Sequence, residues 1–195
     1  MAKRTGAKYD AIIEAAVKVI AEYGYHNTQV SKIAREAKVA DGTIYLYFEN
    51  KDDVLISLFS DKMGRFISQV EEALQQVESP IDKLYHLIRL HFENLERDHM
   101  LAIVTQIELR QSNPEVRKGI GKILKRYLNV IDQILIDGVK QNLFRSDMDI
   151  RITRRMIFGT LDETVTSWIT KNHKYKLLEQ VDDIHNLFIH GFGKP

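Results

Sequence analysis

Apolar residues recur three and four positions apart through most of the chain, which is the period of an amphipathic α-helix. The first such pattern covers residues 8–23 and is followed by Gly24, a residue type that commonly ends a helix. No run of alternating β-branched residues indicates a strand, and prolines are few. The patterns therefore predict an all-α protein, with six further helices that begin near residues 51, 80, 100, 114, 149 and 175.

Two short helices are predicted between the first helix and residue 50. Thr28 is a good N-cap for a helix over residues 29–37, a break follows at residues 38–41, and a third helix covers residues 42–48. A short helix, a tight turn and a second short helix are the order of a DNA-binding helix-turn-helix. We therefore expect a three-helix DNA-binding domain at residues 1–50 and a larger helical domain at residues 51–195.

The composition is that of a folded globular chain, with 195 residues, 44% of them hydrophobic and 28% charged. The absence of cysteine excludes disulfides, a thiolate nucleophile and cysteine-based zinc sites. No apolar run approaches the ~20 residues of a membrane span, so we expect no membrane partner and a cytoplasmic location. The net charge is only +1, which means that any DNA-binding surface must be local.

The sequence lacks the motifs that commonly carry enzymatic chemistry. There is no G-x-S-x-G, Walker loop, G-x-G-x-x-G or H-E-x-x-H, and no two of the seven histidines are four residues apart. A helix-borne metal pair is therefore unsupported. We expect neither an enzyme, nor a metal site, nor a catalytic residue.

The predicted third helix carries side chains suited to contact with DNA. Gly42 and Thr43 are small enough for its start to approach a phosphate, and the backbone N–H groups there favour anions. Ile44 and Phe48 are four residues apart and can face the core, which leaves Tyr45 and Tyr47 outward. Exposed tyrosines can donate to phosphates and pack against bases.

Residues 42–48, GTIYLYF, with Lys51 just beyond, resemble the N-terminal domain of the TetR family of bacterial repressors. The resemblance covers about residues 9–54. It implies DNA contacts, mostly at phosphates, from Thr28, Thr43, Tyr45, Tyr47 and Lys51. A basic N-terminal arm with Lys3, Arg4 and Lys8 could reach an adjacent groove.

Two positions depart from that family's pattern. Lys38 stands at a turn position that is often glycine and where φ is commonly positive, which would cost about 1 kcal/mol. Because its charge could compensate near DNA, we include Lys38 among the predicted DNA contacts. Ala40 stands where a capping Ser or Asn is usual, so Asp41 would supply the carboxylate at the helix start.

The rest of the chain is similar to one TetR subgroup, the fatty-acid-degradation repressors of Bacillus-type bacteria, chiefly in residues 56–59, 101–113 and 156–168. This similarity implies that residues 51–195 bind long-chain fatty acyl-CoA as an effector, with no other cofactor, and form a homodimer. Such a dimer would place two recognition helices ~34–36 Å apart on a palindromic operator in double-stranded DNA. The last two helices are the expected interface, because Gly159, Thr160 and Ser167 would allow close helix approach.

An acyl chain needs a dry apolar tunnel, and the CoA phosphates need cations at its mouth. The predicted tunnel residues are Met63, Phe66, Leu101, Val104, Ile107, Met156 and Trp168, and Arg110 is one of several candidate cations. Two alternatives stay open from the sequence. One is a TetR-type repressor that senses another apolar molecule, such as a drug or a free fatty acid. The other is a helical adaptor without a DNA partner.

Overall fold

The computed structural model describes residues 5–194, so Lys3 and Arg4 of the predicted arm lie outside the described residues. Within this span the chain is helical and contains no strand beyond one isolated bridge between Phe144 and Gly193. The α-helices are α1 Ala7–Asn27, α2 Val30–Glu36, α3 Asp41–Tyr45, α4 Lys51–Gln75, α5 Pro80–Arg97, α6 His99–Glu108, α7 Pro114–Lys140, α8 Ile150–Thr170 and α9 Val181–Phe192. The predicted all-α class is confirmed.

Side-chain caps fix the start of several long helices, as the sequence indicates. The Asn50 side chain accepts a hydrogen bond from the N–H of Asp53 at 2.8 Å in the first turn of α4. Asp149 accepts from two N–H groups of α8, those of Arg151 at 2.8 Å and Ile152 at 3.1 Å. These acceptors satisfy N–H groups that have no partner inside the helix.

One predicted N-cap and one predicted helix start are wrong. Thr28 does not cap α2, because its hydroxyl turns back and donates to the carbonyl of Gly24 at 2.8 Å, at the end of α1. The last helix does not begin at Tyr175, because the indole N–H of Trp168 holds the Tyr175 carbonyl at 2.7 Å. A 3-10 turn at Leu177–Gln180 precedes α9 instead.

The described chain forms two compact units. The first contains the residues up to Gly64 together with Met100–Ile123, and the second contains Arg65–His99 and the residues from Leu124 onward. Each has its own apolar core, with Ile12, Ile33 and Phe59 buried in the first and Leu87, Phe92 and Ile131 in the second. The predicted boundary at residue 50, between a DNA-binding domain and an effector-binding and dimerisation domain, stays a prediction. None of the described helices is long and apolar enough to cross a membrane.

Candidate DNA interface and effector site

The turn between α2 and α3 is closed by backbone hydrogen bonds. The N–H of Val39 donates to the carbonyl of Ala34 at 3.0 Å, and the N–H of Lys38 donates to that of Arg35 at 3.1 Å. This pair is a Schellman motif, which requires a left-handed residue at its centre. Lys38 is that residue, with a φ of 55°, so its predicted positive φ is confirmed. Its side chain is exposed, where its charge can face DNA.

The recognition helix α3 ends at Tyr45, earlier than the predicted residue 48, and together with the turn after it presents two faces. Ile44 and Phe48 are buried against the core, as predicted, and Tyr9 of α1 stacks on Phe48 with ring centroids 5.3 Å apart. Tyr45 is 57% exposed and points outward. Tyr47 is half-buried, with its ring 6.3 Å from that of Tyr9, so it is only partly available to an outside partner.

Gly42 lies in the first turn of α3, exposed to solvent. A Cβ atom added there would meet nothing within 4 Å among the described residues, and its φ is not positive. The fold of one chain therefore does not require glycine at this position. Thr43 beside it is half-buried.

Thr28 and Lys51 support the end of α1 and are not free at the surface. Thr28 is 2% exposed, so its hydroxyl cannot meet a phosphate unless the fold opens, and that predicted contact has no support here. The Lys51 ammonium donates to the carbonyls of Tyr25, His26 and Thr28 at 3.0–3.3 Å. A cation at a helix C-terminus stabilises the helix dipole. A DNA contact from Lys51 stays a prediction.

A group of hydrogen-bonded side chains, the Tyr25 junction, ties the end of α1 to α4 and α6. The N–H of Tyr25 donates to the Glu108 carboxylate at 3.1 Å, and the Tyr25 hydroxyl donates to Asp52. Gln111 donates to Glu108, and Asn113 donates to Asp52 at 3.0 Å. Burial, followed by the nearby Asp52 carboxylate, raises the pKa of Tyr25, so the hydroxyl keeps its proton.

Sequence reasoning missed this junction. Glu108 is an acidic residue near the end of the otherwise apolar run of α6, and it is buried. A buried carboxylate needs partners, so that isolated acid was the available signal. The partner residues could not be inferred, because they lie up to 83 residues away in the chain.

A second polar pair lies in the core of the second unit. The Tyr127 hydroxyl and His91 Nδ1 are 3.0 Å apart, and the two rings stack with centroids 5.7 Å apart. Burial lowers the pKa of His91 to about 4 and raises that of Tyr127, so both groups are neutral near pH 7. His91 lies on the apolar stripe of α5, between Leu87 and Leu95, which was the signal that sequence reasoning overlooked.

Comparison with known proteins identifies the family. A model described as "Bacterial regulatory proteins, tetR family" matches residues 12–58, and one described as "YsiA-like protein, C-terminal region" matches residues 59–191. The chain is 52% identical, over 97% of both lengths, to the fatty acid metabolism regulator protein of Bacillus subtilis. The chain belongs to the TetR family. The predicted class, a DNA-binding transcriptional regulator rather than an enzyme, is confirmed.

Two solved structures resemble this TetR-family chain over nearly its whole length. One is the transcriptional regulator FadR from Bacillus subtilis in complex with stearoyl-CoA, with a TM-score of 0.91 and 53% identity over 94% of this chain and 98% of that one. The other is the fatty acid degradation regulator FadR from Bacillus halodurans, with a TM-score of 0.93 and 54% identity over 97% and 98%. The resemblance drawn from the motifs is confirmed.

The residues predicted to line an effector tunnel in this TetR-family chain fall into two groups. Leu101 and Val104 of the first unit and Phe66 and Trp168 of the second are buried, and Met63 is half-buried, so their place in a tunnel stays a prediction. Ile107 and Met156 do not fit, because they are 60% and 52% exposed. Trp168 also has a local structural role, since its N–H fixes the Tyr175 carbonyl.

Arg110, the predicted CoA cation, is an exposed residue of the first unit. One of its guanidinium N–H groups donates to the Gln106 carbonyl at 3.0 Å. A role of Arg110 at the CoA phosphates stays a prediction.

The outer faces of α8 and α9 carry exposed apolar residues. Ile152 and Met156 are separated by one helical turn on α8 with Gly159 beyond them, and Leu187 on α9 is 72% exposed. A Cβ at Gly159 would meet no described atom within 4 Å, so the protomer itself does not need glycine there. Such apolar surfaces mark protein contacts. This face coincides with the interface that the sequence predicts.

Proposed function

We propose that this chain is the homodimeric repressor of fatty-acid degradation genes in its organism, released from a palindromic operator by long-chain fatty acyl-CoA. One observation carries the proposal: 53% identity and a TM-score of 0.91 to a FadR that was crystallised with stearoyl-CoA. Similarity at this level extends through both matched regions, residues 12–58 and 59–191, and so includes the effector-binding part. Because the operator is chromosomal DNA, we expect the protein in the cytoplasm.

The DNA contact is assigned to the exposed side of α3 and the turn before it. Tyr45 and Lys38 are exposed there, and Thr43 and Tyr47 lie at its margin. The bare surface at Gly42 lets the helix approach the DNA backbone closely. Phosphate contacts of this kind position a protein on DNA, whereas contacts to base edges select the sequence.

The dimer is assigned to the outer faces of α8 and α9. Two copies packed through these helices would form a four-helix bundle, a common arrangement in symmetric dimers. The dimer places two recognition helices one DNA turn apart, so operator binding depends on their separation. Met156 would be buried in this interface, which explains why an apolar side chain is exposed on a single protomer.

Release follows from a shift between two conformations of the dimer. An effector can shift that equilibrium only through higher affinity for the conformation that does not bind DNA. A hundredfold loss of operator affinity needs a difference of about 2.7 kcal/mol. The Tyr25 junction joins α6 and the start of α7, both in the region matched to the YsiA-like model, to the end of α1. A shift of those two helices would therefore act directly on the DNA-binding helices.

The test is selection of operators from random-sequence DNA by the full-length protein. The proposal expects enrichment of a palindrome bound by a dimer, and release of that DNA by stearoyl-CoA. Met156→Glu tests the dimer assignment in the same assay, because a carboxylate in the α8 face should yield monomers that bind the palindrome weakly. Selection of no sequence would favour an adaptor, and selection without acyl-CoA release would favour a repressor of another effector.

A further inference from the structure

One ring nitrogen of His91 has no hydrogen-bond partner among the described residues. Its Nε2 is buried and has no hydrogen bond to any of residues 5–194. The Tyr127 hydroxyl carries a proton that needs an acceptor, and Nδ1 of His91, 3.0 Å away, is positioned to accept it. A neutral imidazole whose Nδ1 accepts must carry its own proton on Nε2. The core of the second unit thus contains an N–H donor with no acceptor in residues 5–194.

Aromatic side chains lie beside the His91–Tyr127 pair. The ring centroids of Phe66 and Phe92 lie 6.1 Å and 5.9 Å from that of His91, and the ring centroid of Phe158 lies 6.3 Å from that of Tyr127. These rings come from α4, α5 and α8, so several elements of one unit pack around the pair. An unsatisfied donor in such surroundings is unfavourable by more than an ordinary hydrogen bond gains. A bound molecule with an acceptor group would satisfy this donor.

We propose that His91 Nε2 donates a hydrogen bond to the thioester carbonyl of the acyl-CoA effector, with Tyr127 as the positioning residue that holds the required tautomer. The inference rests on the proposed function. In an acyl-CoA the thioester carbonyl is the one acceptor bonded directly to the long alkyl chain. When that chain is buried among aromatic side chains, the carbonyl is therefore the acceptor that is buried with it. The amides and phosphates of CoA lie farther from the alkyl chain. The neutral state of His91 fits an acceptor without charge.

The test compares two ligands that differ at this carbonyl, stearoyl-CoA and its thioether analogue S-octadecyl-CoA. The wild-type protein should bind stearoyl-CoA about three- to tenfold more tightly, the range of one net hydrogen bond. The double variant His91→Phe/Tyr127→Phe replaces both polar groups by rings of similar shape. The core stays packed, and neither position keeps a polar atom that lacks a hydrogen-bond partner. It should bind both ligands with equal affinity.

Phe158→Leu is the matched control, because it alters packing beside Tyr127 without removing a polar group. It should change both affinities by the same factor and keep their ratio. His91→Phe alone provides the measurement if the double variant does not fold. A wild-type ratio of one, or a ratio retained in the His91 variants, would overturn the inference. Failure of both ligands to bind the wild-type protein would instead overturn the proposed function.

Discussion

At the scale of single residues, Tyr45 in α3 and Tyr47 in the turn after it differ in what they can offer DNA. Most of the Tyr45 side chain is exposed to solvent, whereas the ring of Tyr47 is half-buried and lies near the ring of Tyr9. The sequence predicted both as outward, because a helical pattern separates buried from exposed faces but does not show how a neighbouring helix covers the margin. Substitutions at Tyr45 therefore test the DNA face with less risk to the fold.

Tyr45→Phe removes one exposed hydroxyl and keeps the ring. We expect operator affinity to fall by about ten- to hundredfold, the effect of one hydrogen bond to a charged phosphate. Tyr85→Phe in the second unit, which removes a tyrosine hydroxyl from α5, is the matched control and should bind the operator normally. Fluorescence anisotropy with labelled operator measures both. An unchanged affinity for Tyr45→Phe would show that this face is not at the DNA backbone.

Gly42→Ala tests whether glycine at this position is required for folding or for DNA binding. The added Cβ meets no described atom within 4 Å, and alanine favours helix, so thermal stability should stay the same or rise by up to about 1 kcal/mol. Operator affinity should fall by about tenfold, because the methyl group occupies the space of closest approach to the backbone. A variant that binds the operator as tightly as the wild type would contradict this role for Gly42.

Because His91 is buried, we predict that the free energy of unfolding depends on pH. Its pKa is about 4 in the folded chain and 6.5 when unfolded, so the unfolded chain takes up the proton first as the pH falls. The free energy of unfolding should therefore decrease from about pH 6.5 toward pH 4, by up to about 1.4 kcal/mol per pH unit from this residue. The lowered pKa of His173, caused by burial and by His99, acts in the same direction.

Urea denaturation across this pH range measures the effect. The His91→Phe/Tyr127→Phe variant should show a shallower pH slope than the wild type. Leu87→Ala, a buried substitution on the same helix, should lower stability at every pH and leave the slope unchanged. Equal slopes for the double variant and the wild type would mean that His91 takes up its proton equally in both states.

At the scale of elements, the helices could be predicted from the sequence and their long-range contacts could not. The caps at Asn50 and Asp149 are local, since each side chain reaches only the next turn, and both were predictable. Thr28 also has a side-chain oxygen that could cap a helix, but its hydroxyl instead donates a hydrogen bond to the Gly24 carbonyl near the end of α1. In the Tyr25 junction, Tyr25 bonds to residues 27 and 83 positions away, and His91 and Tyr127 are 36 positions apart. No periodic pattern in the sequence encodes contacts at these separations.

A substitution in the Tyr25 junction should separate binding of the effector from release of the operator. Tyr25→Phe removes the donor to Asp52 and keeps the ring and the N–H bond to Glu108. We expect unchanged acyl-CoA affinity but weaker release, with the effector-induced loss of operator affinity reduced by about two- to thirtyfold, the usual range for a coupling residue. Isothermal titration gives the first quantity and anisotropy with and without effector gives the second.

Tyr9→Phe, a tyrosine of α1 outside the junction, is the control for that experiment. It should keep the full ratio between operator affinities with and without effector. If Tyr25→Phe also keeps the full ratio, the junction stabilises the first unit but does not transmit the effector signal.

At the scale of the whole molecule, regulation requires two chains and two ligands, DNA and effector, that favour different conformations. The family, the fold and the class of function followed from a short motif, GTIYLYF, set in a helical pattern. The identity of the effector followed from similarity through the larger domain, because apolar lining residues alone do not distinguish an acyl-CoA from a drug or a free fatty acid. The central claim is therefore the chemistry of the molecule that releases the DNA.

The most direct measurement is operator dissociation by anisotropy, with the wild-type dimer titrated separately with stearoyl-CoA, stearic acid and CoA. We predict that stearoyl-CoA releases the operator at low concentration, while CoA lacks the alkyl chain and stearic acid lacks the thioester and nucleotide, so neither does. Release by stearic acid at the same concentration as stearoyl-CoA, or by CoA alone, would contradict the account.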